Sequence, residues 1–189
     1  MARIVWIAAI VLAACSSATV PIEDETPAID PPRVLSASAL PRMTSEAKSL
    51  DAEQVANEVA HPDDMGAMLE AAGFASASQR SFGGGTGAFS RVLARRLAFT
   101  TATGAQTFVG WFGDHAGEEI VTARRIAPEG VPRGVVLFRH LPDGCCHNDV
   151  PVFLAAWQRG STVLYLHVGG RRANVRAFTE LIESYDREV

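Results

Sequence analysis

The sequence predicts an α+β fold: an antiparallel sheet of about six strands packed with two main helices and preceded by short helices. Three observations predict it. Apolar residues recur at helical period in two separate stretches, Ala105, Phe108, Val109 and Phe112, then Val175, Phe178, Leu181, Ile182 and Tyr185. Extended runs follow one another through short turns rich in Gly and Pro, which is how antiparallel neighbours are joined. Two of those runs, Val152 to Trp157 and Val163 to Leu166, are apolar at every position, the pattern of strands that lie mid-sheet with both faces covered.

Length and composition agree with one folded unit. The 189 residues suit a single domain, and 48% hydrophobic content is enough to build a core. Charge divides by region. From Ser16 to Ala60 there are eight acidic residues against three basic ones, and from His61 onward thirteen of each. A balanced domain lacks the basic face that a nucleic acid requires, so no nucleic-acid partner is expected.

The chain opens with Arg3 and an apolar run from Ile4 to Ala14. Eleven residues are about half of what a helix needs to cross a bilayer, so the run reads as a secretory signal peptide over residues 1–14. It ends in Leu12-Ala13-Ala14-Cys15, which is similar to the lipobox of bacterial lipoproteins. That resemblance implies cleavage before Cys15 and lipidation of Cys15 at its sulfur and its new amino group. Two or more acyl chains hold a protein firmly to a membrane, so the membrane itself becomes a partner. An ordinary signal cut further on is the alternative, since Ser16-Ser17-Ala18 also supplies small residues.

From Ser16 to about Arg42 the chain holds five prolines, Pro21, Pro27, Pro31, Pro32 and Pro41, and no apolar period. Residues 15–49 therefore read as a disordered tether, reaching on the order of 30 Å as a flexible coil. The folded domain is expected over residues 50–189. Asp51 followed by Gln54 forms the pattern of a capping box and opens a helix through Val55 and Val59. After His61-Pro62, Asp63 or Asp64 is expected to cap a second short helix, whose Met65, Met68 and Leu69 form a core stripe and which Gly73 ends.

Two extended runs follow, Ala75 to Phe82 and Ala88 to Phe99, joined by Gly83-Gly84-Gly85-Thr86-Gly87. No Lys-Ser/Thr follows these glycines, and a strand follows where a phosphate loop would lead into a helix, so they read as a hairpin loop. Thr101 or Thr103 caps the first main helix, and Gly117 is expected to end it. Strands are then expected over Ile120–Ala127, Gly134–Leu141, Val152–Arg159 and Thr162–Val168, the last two joined by a tight turn at Gly160-Ser161. Asn174 caps the closing helix. The element order, with Leu69-Glu70-Ala71-Ala72-Gly73-Phe74 and Val152-Phe153-Leu154-Ala155-Ala156-Trp157, is similar to PsbP-like domains and to small uncharacterised lipoproteins of actinobacterial envelopes. The resemblance implies no catalytic residues.

The stretch richest in chemistry is Pro142-Asp143-Gly144-Cys145-Cys146-His147-Asn148-Asp149, a turn between strands. If Cys15 carries lipid, Cys145 and Cys146 have only each other within the chain. Adjacent Cα atoms lie about 3.8 Å apart, below the usual disulfide span of roughly 4.4 to 6.8 Å, so a bond between them is strained and easily reduced. Four readings stand: a structural vicinal disulfide, reduced or intermolecularly bonded thiols, a metal site, or redox chemistry. The metal reading would draw on Cys145, Cys146 and His147, with His140, His167 or Asp149 folding in; adjacent ligands fit tetrahedral geometry poorly, and no metal is assigned. His147 and Asp149 remain candidate ligand-loop residues.

Neither GxSxG nor HExxH occurs, so a hydrolase would need a non-local triad, and no cofactor is expected. Asp114-His115 with Glu118-Glu119 reads as a solvated helix end. The pairs Arg95-Arg96, Arg124-Arg125 and Arg171-Arg172 read as solvated arginines whose stems cover apolar surface; an anion pocket is the lesser alternative, because neighbours on a strand point to opposite faces and at most one of each strand pair can converge. The expectation is a lipid-anchored, extracytoplasmic binding or interaction module of the cell envelope with an unknown envelope ligand or protein partner; a redox or metal-handling protein using the two adjacent cysteines is the alternative.

Overall fold

Residues 33–119, 123–140 and 150–189 are described by a computed structural model. They form one antiparallel sheet of seven strands in the order β1-β2-β3-β7-β6-β5-β4. The strands are β1 Thr44–Leu50, β2 Phe74–Gly83, β3 Arg91–Phe99, β4 Arg124–Ile126, β5 Val136–His140, β6 Val152–Arg159 and β7 Thr162–Gly169. The helices are α1 Ala52–Ala56, α2 Pro62–Ala71, α3 Ala102–Glu119 and α4 Val175–Glu188. Seven strands replace the expected six or so, and the additional one is β1. Among the described residues no helix is long and apolar enough to cross a membrane.

The chain reaches this order in two passes. The first lays down β1, β2 and β3 as neighbours; α3 then carries the chain across one face, and β4 to β7 return as a meander that docks β7 on β3. Strand β6 is buried from Val152 to Trp157, as its unbroken apolar run requires. Its partner β7 is reached through the turn at Gly160, whose φ of +57° a glycine adopts without steric cost. The helix side of the sheet meets α1, α2 and α3 through Leu69, Phe108, Phe112, Leu154 and Tyr165. The back face meets α4 through Phe153, Trp157, Phe178, Ile182 and Tyr185.

Local signals act largely as the sequence implies. Asp51 and Gln54 close the reciprocal capping box of α1, at 2.8 and 3.0 Å. Thr101 Oγ1 accepts from Gly104 N at 3.0 Å and caps α3, and Asn174 Oδ1 accepts from Ala177 N at 3.0 Å and caps α4. Gly73, at φ +69°, ends the turn after α2.

Other boundaries differ. Residues 33–49, assigned from sequence to the tether, are ordered: Leu35 is wholly buried, Ala37–Ala39 make a 3₁₀ turn, and β1 pairs with β2 from Thr44↔Gly83 to Leu50↔Ala77. Exposed from Thr44 to Ser49, β1 shows no apolar alternation; backbone pairing to β2 is what makes it a strand. Neither Asp63 nor Asp64 caps α2; they occupy its first turn behind Pro62, where their charge suits the helix dipole. Gly117 does not end α3, which runs on to Glu119; the burial of Ala116 and Phe112 on the sheet outweighs the roughly 1 kcal/mol that glycine costs in a helix. Strand β4 is shorter than the expected Ile120–Ala127, whose residues 120–122 lie outside the described residues.

Candidate functional site

Two polar places stand out on the sheet, one on each face. On the helix side the alternation of β2, β3 and β7 points Gln79, Arg95, Tyr165 and His167 the same way, with Arg95 opposite both Gln79 and Tyr165. Arg95 is 7% exposed. Its Nε donates to Gln79 Oε1 at 2.6 Å, its guanidinium pairs with the Glu58 carboxylate, and it lies 5.6 Å from the Tyr165 ring centroid. The capping box of α1 makes this contact, because the short helix and the turn after it deliver Glu58 over the sheet. Lys48 Nζ reaches the same carboxylate at 3.2 Å. The buried charge is thus matched from several sides, which a buried guanidinium requires.

His167 stands beside this network. Burial, then the charges of Arg91 and Arg95, lower its pKa to about 4, so its ring is neutral at pH 7. A ring with so low a pKa is a weak base, and two neighbouring cations oppose a metal ion there. Among the described residues it makes no hydrogen bond to a nucleophile, and no three His, Cys, Asp or Glu side chains gather as a metal group. This cluster is a closed structural network.

The back face is different. A groove of about 780 Å³ runs between β1–β2 and residues 33–38, with Glu188 at the end of α4 on its rim. It is concave because the back-facing residues of β1 and β2 beside Arg80 are small, namely Ala47, Ser49 and Ser78. Ser78 is 5% exposed, and its hydroxyl has no hydrogen-bond partner among the described residues. The Nε atoms of Arg80 and of Arg96, the register partner of Ser78, are buried and likewise unpartnered. Buried polar atoms are nearly always satisfied, so these three neighbouring orphans single out this part of the back face, and two of them, on Ser78 and Arg80, belong to residues that line the groove. A second groove, of about 700 Å³, lies beyond the 3₁₀ turn between residues 39–43, the β2–β3 loop and α4. A shallower hollow of about 470 Å³ is formed by Asp64, Met68, Trp111 and His115, where His115 stacks on Trp111 with centroids 4.6 Å apart.

The residues singled out in the sequence fall unevenly. Cys15, Cys145, Cys146, His147 and Asp149 lie outside the described residues. His140 and Val152, which bracket the cysteine loop, are register partners, and His140 shares its face with His167 two strands away. The arginine pairs split as strand geometry demands: Arg95 faces the helices, whereas Arg96 faces back and donates to the Arg33 carbonyl at 3.3 Å. Arg124 and Arg125 take opposite faces of β4, and Arg171 and Arg172 are exposed beyond β7. Sequence reasoning did not find Glu58, Gln79, Ser78 or Arg80. The available signal was Ser78-Gln79-Arg80-Ser81, four polar residues in the middle of a strand flanked by Ala77 and Phe82.

No family model matches the chain, and no curated protein matches it. Among solved structures it is similar to the extracellular domain of PknH from Mycobacterium tuberculosis, at a TM-score of 0.52 and 12% sequence identity, over 80% of this chain and 88% of that one. At that identity the likeness is one of fold, and the α+β arrangement around an antiparallel sheet is the fold this chain shares with that extracellular domain.

Proposed function

We propose that this protein is a lipid-anchored, extracytoplasmic binding module, held to the membrane through Cys15 and taking its ligand in the back-face groove. The observation that carries the binding reading is the groove with two polar atoms of its lining residues, Ser78 Oγ and Arg80 Nε, unsatisfied among the described residues. The location is supported by the lipobox-like Leu12-Ala13-Ala14-Cys15 and by a fold shared with the extracellular domain of PknH. Cys15→Ala is expected to move the protein from the membrane to the soluble fraction and to abolish labelling with a fatty-acid analogue. Retention of the variant in membranes would overturn the anchor. Ligand binding is tested by a thermal-shift screen, in which a ligand at a hundred times its Kd stabilises by about 2.7 kcal/mol.

With Cys15 on lipid, Cys145 and Cys146 are bonded to each other in the oxidising space outside the membrane. Thiol labelling with intact-mass measurement is expected to find neither thiol free until the protein is reduced. Two labelled thiols without reductant would refute the bond. A Cys145→Ser, Cys146→Ser double variant of unchanged stability but altered redox behaviour would favour redox or metal handling instead.

A further inference from the structure

We propose that the back-face groove recognises a phosphate-type oxyanion on its ligand, through the guanidinium of Arg80 and the hydroxyl of Ser78, with the charge of Arg96 beside them on β3. This inference rests on the binding reading above and names the chemistry of the ligand.

The register lays the donors side by side. Ser49, Ser78 and Arg96 form one row across β1, β2 and β3, and Ala47, Arg80 and Ala94 form the row two residues along. Arg80 and Arg96 are thus diagonal neighbours on one face, about 7–8 Å apart at the backbone. Each spends little of its donor capacity on the protein. Arg80 Nη1 donates to Ser45 Oγ at 3.4 Å and Arg96 Nη1 to Arg33 O at 3.3 Å, and both Nε–H groups are buried with no acceptor among the described residues. Among the described residues neither is ion-paired, whereas Arg95, Arg159 and Arg176 each hold a carboxylate.

The carboxylate on the rim is held by the wall of the groove. Glu188 accepts from Ser36 N at 2.7 Å and from Ser36 Oγ at 3.2 Å, one bond to each oxygen, and so pins residues 33–38 over the sheet. Arg80 and the Ser78 hydroxyl in the lining, with Arg96 beside them on β3, hold no carboxylate among the described residues. An arginine fork alone saturates a planar carboxylate, whereas donors arriving from more than one side chain suit a tetrahedral group with several acceptor oxygens. At about 780 Å³ the groove also has room for what carries that group.

Two sources can present it, a soluble phosphate compound or a phospholipid headgroup. Arg33, on the rim, stands eighteen residues after Cys15, so a lipid-anchored chain keeps the groove within about 65 Å of the membrane even at full extension.

The test uses the full chain in zwitterionic micelles at constant ionic strength, titrated with inorganic phosphate and with glycerophosphoglycerol, a soluble phosphodiester headgroup. Saturable binding of at least one probe is expected; preference for the first indicates a soluble phosphate and for the second a headgroup. Arg80→Gln is expected to weaken binding at least tenfold, while Arg176→Gln, on the exposed side of α4, leaves it unchanged. If Arg80→Gln fails to fold, Ser49→Asp decides: an exposed substitution in the row of Ser78, it adds a repelling charge and is expected to cost at least tenfold with its melting temperature unchanged. Saturable binding that survives both substitutions overturns the proposal. Should neither phosphate probe bind while an uncharged ligand from the screen does, and is lost with Ser49→Asp, the oxyanion is refuted and the binding module stands; if nothing binds, both fall.

Discussion

His167 is the residue whose surroundings have the clearest consequence in solution. It lies on β7 opposite Leu93 of β3 and Leu154 of β6, and burial with the charges of Arg91 and Arg95 lowers its pKa from 6.5 to about 4. Protonation is therefore easier in the unfolded chain, which binds more protons than the folded one between those two values. Stability is fully present above pH 6.5 and falls as pH drops toward 4, by on the order of 3 kcal/mol. Urea unfolding followed across that window should show the loss, and His167→Gln should flatten it; an unchanged slope would mean that the ring is solvated. At Asp186 burial works to raise the carboxyl, but hydrogen bonds from Arg159 and Trp157 and the Arg159 charge outweigh it and hold the group below its ordinary value. On the same helix burial pushes the Tyr185 hydroxyl up, and it donates to Arg95 O at 2.9 Å, tying α4 to β3.

At the scale of elements, the turn between α2 and β2 depends on one backbone conformation. Gly73 sits at φ +69°, and a Cβ there would lie 2.4 Å from Thr100 Oγ1. Gly73→Ala is expected to destabilise by about 1–3 kcal/mol in chemical denaturation, combining left-handed strain with a clash that only a shift of Thr100 can relieve. A variant as stable as the parent would show that the turn re-forms at no cost. Element identity was legible wherever a local signal carried it: the Asp51–Gln54 box, the Asn174 cap and the apolar run of β6 each lie within a few residues of what they determine. Strand β1 was illegible because its side chains, exposed through Ser49, carry no pattern, and a strand held by backbone pairing alone leaves no trace in hydropathy.

For the whole molecule, the question is where the domain begins. Leu35 is wholly buried among the residues that pack α4 on the back face, and Glu188 grips Ser36, so residues 33–43 belong to the fold. Leu35→Ala is expected to cost about 2–5 kcal/mol, as core leucines do, whereas a residue of a loose tether would change stability by under about 0.5 kcal/mol. Equilibrium unfolding distinguishes the two. The same packing creates the groove, since its outer wall is the segment that Leu35 and Glu188 hold in place.

What the sequence determined by itself was local: helix caps, turn glycines, the two amphipathic helices, the doubly apolar central strands, and the lipobox-like leader that supports an anchor. Tertiary structure decided the rest. It paired a patternless segment with β2 as a seventh strand, and it sent Arg95 and Arg96 to opposite faces. Glu58 and Gln79 came to one arginine, while Arg80 and Arg96, beside Ser78, hold no ion pair among the described residues. The physical reason is that strand pairing and charge compensation depend on residues from distant parts of the chain, whereas caps and apolar periods are complete within a few neighbours.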